Sequence, residues 1–286
     1  MNPAPDLSLA VISQIQVSVA QMLMTHEVVF LRIGRTVFFS FLVMQLSMQG
    51  LQWMYAPGIE GRAHALSEFL LKASVCLLMV VYYEQAMPGI GISFSNLVTD
   101  SAGYLMQVLD ARGLETAQRE LDALQHKFTF TDLFSIYSLV AYYVLWFAIT
   151  LAKLATIGVV SWSLIASAVC ALVGPLFVAF LIAPGGLEFF FWGWFKSFVQ
   201  YSFVGVLAQA YMGVGSSLIA GVSARMPNAI DDSLWPIYGV QAIVLLGVFA
   251  AGVLSIPFLA ASIFSGHAHH SSAGTGVVAA VVRKGF

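Results

Sequence analysis

Charge is what this chain has least of. Asp, Glu, Lys and Arg make up 9% of its 286 residues and hydrophobic residues 59%, against about 25% charged in an ordinary globular domain. No such charge falls between Ser233 and Val282, and only Lys153 interrupts Leu133 to Leu187. A water-soluble fold of this length has more surface than so few charges solvate, which excludes that class. A formal net charge of −2 with no Lys/Arg run speaks against a basic nucleic-acid face. Cysteine is equally sparse. Cys76 and Cys170 each sit in an apolar run and read as small buried residues rather than a disulfide or redox pair.

Catalytic signatures are missing as well. There is no nucleophile elbow, zinc-protease helix motif or phosphate-binding loop, and Gly89-Ile90-Gly91 has nothing to cradle. His26 and His64 fall outside the first apolar run, His126 in a polar loop, and His267, His269 and His270 in a Ser/Gly/Ala-rich tail. No pair of histidines inside a span is available for haem. The expectation is a non-enzyme with no catalytic, cofactor or metal residues.

What is present is apolar length. A crossing needs about 20 mostly apolar residues. Candidate spans run from Thr36 to Tyr55, from Phe69 to Ala86, through Leu133–Ala183 split near Gly158–Ser161, from Lys196 to Val222 and from Leu234 to Ile263. Backbone groups in lipid must pair internally, and the ten-residue alternation of a barrel is absent. The predicted fold is all-α: a polytopic transmembrane helical bundle with five or six spans, an N-terminal amphipathic helix and a helical extramembrane central loop. The expected divisions are 1–30 for the amphipathic helix, 31–87 for two spans, 88–132 for the polar loop, 133–264 for three to four spans, and 265–286 for a flexible tail.

Val11, Ile15, Val19 and Met22/Leu23 recur at helical spacing opposite Gln14, Ser18, Gln21 and Thr25, a pattern for a helix lying on the bilayer or packing on a partner. In the central loop, Leu114, Ala117, Leu121, Leu124 and Phe128 fall three and four apart, with Glu115–Arg119 as a supporting pair. Leu114, Leu121, Leu124 and Phe128 are therefore the predicted partner contacts. Glu84 and Lys153 are the intramembrane charge candidates, each either facing a channel or snorkelling to the interface. Small residues at Ala208, Gly213, Ser217 and Gly221 predict close helix approach. For six spans, eight basic residues against four lean towards a cytoplasmic N-terminus.

The densest pattern lies at 174–201. Gly174-Pro175-Leu176-Phe177 closes one apolar run, where Pro175 removes a helical hydrogen bond and permits a kink. Pro184-Gly185-Gly186 makes a turn. Phe190-Phe191-Trp192-Gly193-Trp194 then opens the next run with an aromatic block suited to the headgroup boundary. This stretch resembles the TrbL family, polytopic inner-membrane subunits of type IV secretion and conjugation systems that include the Vir-type counterpart. The residues that carry the likeness are Gly174, Pro175, Phe177, Phe190, Phe191, Gly193 and Trp194. One departure stands out: members often place Thr-Arg before the Phe-Phe pair, where this chain has Gly-Gly-Leu-Glu at 185–188.

The resemblance implies a platform or translocation-channel subunit in the bacterial inner membrane that supports pilus assembly and passage of DNA or protein. It also implies a homo-oligomeric ring, fivefold by resemblance alone. The implied partners are the minor pilin or stalk, other inner-membrane secretion subunits, the translocated substrate and the lipid bilayer. Family topology is often drawn with the N-terminus outside, against the charge count. The competing reading is a small-molecule transporter or permease subunit, which would need a discrete midplane site.

Overall fold

A computed structural model describes residues 7–55, 59–89, 91–97, 113–128, 136–184, 186–228, 230 and 234–265. The Ala56-Pro57-Gly58 break lies outside the described residues. So do the loop charges Asp100, Asp110, Arg112 and Asp132, Gly185, and the tail after Ser265 with its three histidines. The described elements are helical: α1 Leu7–Tyr55, α2 Ile59–Val81, α3 Gly113–Lys127, α4 Ile136–Ala179 with a 3-10 turn over Phe180–Ile182, α5 Glu188–Ala224 and α6 Trp235–Ser265. One isolated bridge joins Phe128 to Ile230.

Among the described residues three helices are long and apolar enough to cross a membrane, by length and composition: Leu139–Ile182, Glu188–Ala224 and Trp235–Phe264. Two expected breaks are not there. The N-terminal amphipathic segment and the first candidate span form one 49-residue helix, so nothing interrupts α1 at residues 30/31. Leu133–Ala183 does not split near Gly158–Ser161 either. α4 is a single helix of 44 residues, about 66 Å at the usual rise. The physical reason is that one glycine costs a helix only about 1 kcal/mol relative to alanine, and Gly158 faces open space. The second span is likewise displaced: α2 ends at Val81 and leaves Glu84 in the turn beyond it.

α4 and α5 form a long antiparallel hairpin with a core at each end. One core joins Leu114, Leu121 and Leu124 of α3, Leu145 and Ile149 of α4, Met212 and Ile219 of α5, and Leu246 and Phe249 of α6. The other joins Phe38 of α1, Cys76 and Val80 of α2, Tyr83, Phe94, Val178 at the end of α4, and Phe191, Trp194 and Phe198 of α5. Reciprocal aromatic-on-glycine contacts set the α5–α6 spacing. Phe249 covers Gly215, and Tyr211 covers Gly252. The expected small-residue face is rotated from this seam: Ala208 is buried, whereas Gly213, Ser217 and Gly221 are exposed.

Candidate functional site

Pro175 has no N–H, so the carbonyl of Ala171, four residues back, loses its helical donor. In an apolar setting an unpaired carbonyl costs about 1–3 kcal/mol. Here the hydroxyl of Tyr83 donates to that carbonyl at 2.6 Å. One residue earlier, the indole Nε1–H of Trp194 donates to the carbonyl of Cys170 at 2.8 Å. Burial first, then the nearby Glu27, Cys170 and Glu84, push the Tyr83 phenol upward and keep it a donor. The proline is thus tolerated inside α4 because two side chains from other elements cap the backbone it disturbs.

Both caps need room. A Cβ on Gly174 would overlap the Tyr83 hydroxyl and come within 2.6 Å of the Trp194 ring. On the opposite side α1 crosses at Gly34, where a Cβ would collide with the Pro175 carbonyl and come within 2.9 Å of its Cβ. Gly34, Gly174 and Pro175 therefore fix one helix crossing, and Tyr83 and Trp194 lock it. Phe177 extends the lock, lying parallel to the Trp194 ring at 6.3 Å. Phe191 is buried and stacks on Phe195. Phe190 meets Phe180 at 5.3 Å, with its outer face exposed. Gly193 is the exception among the seven motif residues: it is exposed and has open space where a side chain would stand.

The acidic departure before the aromatic block is compensated within the chain. Lys72 of α2 bonds Glu188 at 3.1 Å and Glu68 at 3.3 Å, joining α2 to the start of α5. Phe189 and Trp192 beside it are exposed, as an aromatic block at a headgroup boundary requires.

The predicted partner contacts have another fate. Leu114, Leu121, Leu124 and Phe128 are all buried against α4, α5 and α6, so the apolar stripe of α3 meets this chain and not a second protein. α3 runs alongside α5. The Leu114 N–H donates to Gln209 Oε1 at 3.1 Å, and Lys127 donates to the carbonyls of Ser223 at 2.6 Å and Met226 at 3.4 Å. A cation on the last carbonyls of α5 suits that end of the helix dipole. Against α4, Gln118 donates to Thr156 at 2.9 Å. Phe128 packs on Trp235 at 4.9 Å.

Lys153 pairs with Asp122 of α3. Its contribution is modest, since Asp122 remains 44% exposed. Glu84 instead lines a cavity of about 520 Å3 with Glu27 of α1. The outer face of α3, with Thr116, Arg119, Ala123 and His126, is exposed. Other faces of the bundle expose Val140, Phe147 and Leu154 of α4 and Val240, Val244 and Val248 of α6. Sequence reading missed Gly34 and Tyr83. For Tyr83 a signal existed: a tyrosine ending a span that must meet a proline-broken helix.

Two comparisons bear on this arrangement. Residues 42–256, about three quarters of the chain, match the family described as TrbL/VirB6 plasmid conjugal transfer protein. No curated protein matches the chain.

Proposed function

We propose, taking as premise that this chain belongs to the TrbL/VirB6 plasmid conjugal transfer family, that it is a platform and translocation-channel subunit of a type IV secretion system. It spans the bacterial inner membrane several times, supports pilus assembly, and acts without catalysis in the passage of DNA or protein. The observation that carries this reading is the separation of surfaces. α3 packs its apolar stripe along α4 and α5 and leaves its polar outer face exposed, while other faces of the bundle are apolar and exposed. A single copy has no lipid-compatible place for that polar face. A ring of copies turns it to a shared aqueous axis and leaves the apolar faces to lipid.

The exposed Gly213, Ser217 and Gly221 stripe recurs every fourth residue on α5 and suits close approach of a neighbouring copy. The fivefold count and the contacts with the minor pilin, the stalk and other inner-membrane subunits come from the family likeness. The test is disulfide cross-linking of Gly221→Cys in a Cys76→Ala/Cys170→Ala background, read beside conjugation frequency. A ladder ending at a closed multimer is expected, with transfer lost for Gly221→Trp. Monomer only, with transfer intact in both variants, sinks the proposal.

A further inference from the structure

The cavity between α1, the turn after α2 and the middle of α4 borders the crossing described above, sharing Tyr83 and Ala171 with it. Its volume is about 520 Å3. Its lining includes apolar Leu23, Leu164 and Ala168 and polar Gln16, Glu27, Glu84 and Ser93. Four hydroxyl groups around it are already engaged. Tyr83 donates to Ala171, Ser167 donates to the Leu164 carbonyl at 3.0 Å, and the Ser93 and Ser95 hydroxyls meet at 3.2 Å. The Oε1 atom of Glu84 is inaccessible and meets no donor among the described residues. Glu27 lies beside the same side chain and raises its carboxyl, and among the described residues no ion pair joins either acid to a cation. Among the described residues Arg35 of α1 acts on Glu84 through space, and both acids, with Cys170 of α4, act on Tyr83 of the turn.

Two acceptor-only groups call for a ligand rich in donors and positively charged. A metal ion fits poorly, because no three His, Cys, Asp or Glu side chains come together among the described residues, and the volume far exceeds one ion. The apolar part of the lining suits a carbon chain. We infer that this cavity binds a primary ammonium group borne on an aliphatic chain, its N–H groups donating to Glu27 and Glu84 while the chain lies along Leu23, Leu164 and Ala168. An aminophospholipid headgroup and a free alkyl diamine share that chemistry.

The experiment uses the full-length chain. It is incubated with vesicles of equimolar phosphatidylethanolamine and phosphatidylcholine, and retained lipid is read by native mass spectrometry; 1,4-diaminobutane is titrated separately by calorimetry. Phosphatidylcholine carries the same charge without N–H donors. Loss of charge-assisted bonds predicts about ten- to hundredfold preference for the primary amine. Glu84→Gln and Glu27→Gln abolish that preference, and Ala168→Leu, which takes up space along the apolar lining, reduces it with both acids intact. Retention falls between about pH 8 and pH 6 as a proton replaces the ammonium. A positive vesicle arm alone assigns the lipid source, and a positive soluble arm alone assigns the free amine. Equal retention of both lipids with no diaminobutane binding overturns the inference. So does a preference unchanged by both substitutions.

Discussion

Replacing Gly174 by alanine adds one methyl group at the point where three elements converge, and its cost can be worked from the contacts. The new Cβ overlaps the Tyr83 hydroxyl and crowds the Trp194 ring. Tyr83 is fully buried and cannot simply swing into solvent. Overpacking of a filled core costs about 1–3 kcal/mol. Displacing Tyr83 also strips the Ala171 carbonyl of its donor, which costs about 1–3 kcal/mol more. The sum is about 2–6 kcal/mol, or roughly 4–20 °C in thermal midpoint at the usual scaling for a chain of this size. Thermal unfolding of the purified protein in mild detergent measures it. Tyr83→Phe alone removes the same hydrogen bond, so the two changes are coupled: the double variant costs less than the two single costs added, by about 1 kcal/mol or more. A Gly174→Ala protein melting within a degree or so of the wild type refutes the reasoning, as does strict additivity with Tyr83→Phe.

Three other outcomes follow. Gly193 belongs to the same motif but faces open space, so Gly193→Ala leaves the melting midpoint unchanged or raises it by up to about 1 kcal/mol of helix propensity; a loss in the same melt contradicts the assignment. Leu121→Asp puts a charge among buried residues and prevents accumulation of folded protein on size exclusion, whereas Arg119→Ala on the outer face changes stability by under about 1 kcal/mol. Burial above all, then the hydrogen bond and charge of Glu27, with Arg35 opposing, push the Glu84 carboxyl up from its ordinary value to about 7. Its protonated form is favoured in the fold, so stability is highest below the ordinary carboxylate range and declines as pH rises through about 7. Melting curves across that range show the decline, and Glu84→Gln flattens it.

The membrane class and the C-terminal apolar runs were legible in the sequence, because low charge and long apolar runs leave few alternatives. The motif at 174–194 was legible as a pattern, but its purpose was not. Tyr83 caps a carbonyl 88 residues away, and no local spacing encodes that pairing. Helix ends were misread because hydropathy counts length but not continuity: Gly158 looks like a break and behaves as an ordinary helical residue. α3 shows the same limit in another form. The 3.6-residue period identified its buried face correctly, but an amphipathic stripe does not say what covers it. Lys153 meets Asp122, 31 residues earlier, a partner no window centred on the apolar run includes.

The central claim is that one face of this bundle meets water and the others meet lipid. Single cysteines at Arg119 on α3 and at Val248 on α6, placed in a Cys76→Ala/Cys170→Ala background, test it in isolated membranes with a water-soluble maleimide. Both native side chains are exposed on the chain itself, so protein burial does not separate them. The account predicts rapid labelling at position 119 and protection at 248 that detergent removes. Equal labelling of the two, or protection at 119 with labelling at 248, contradicts it.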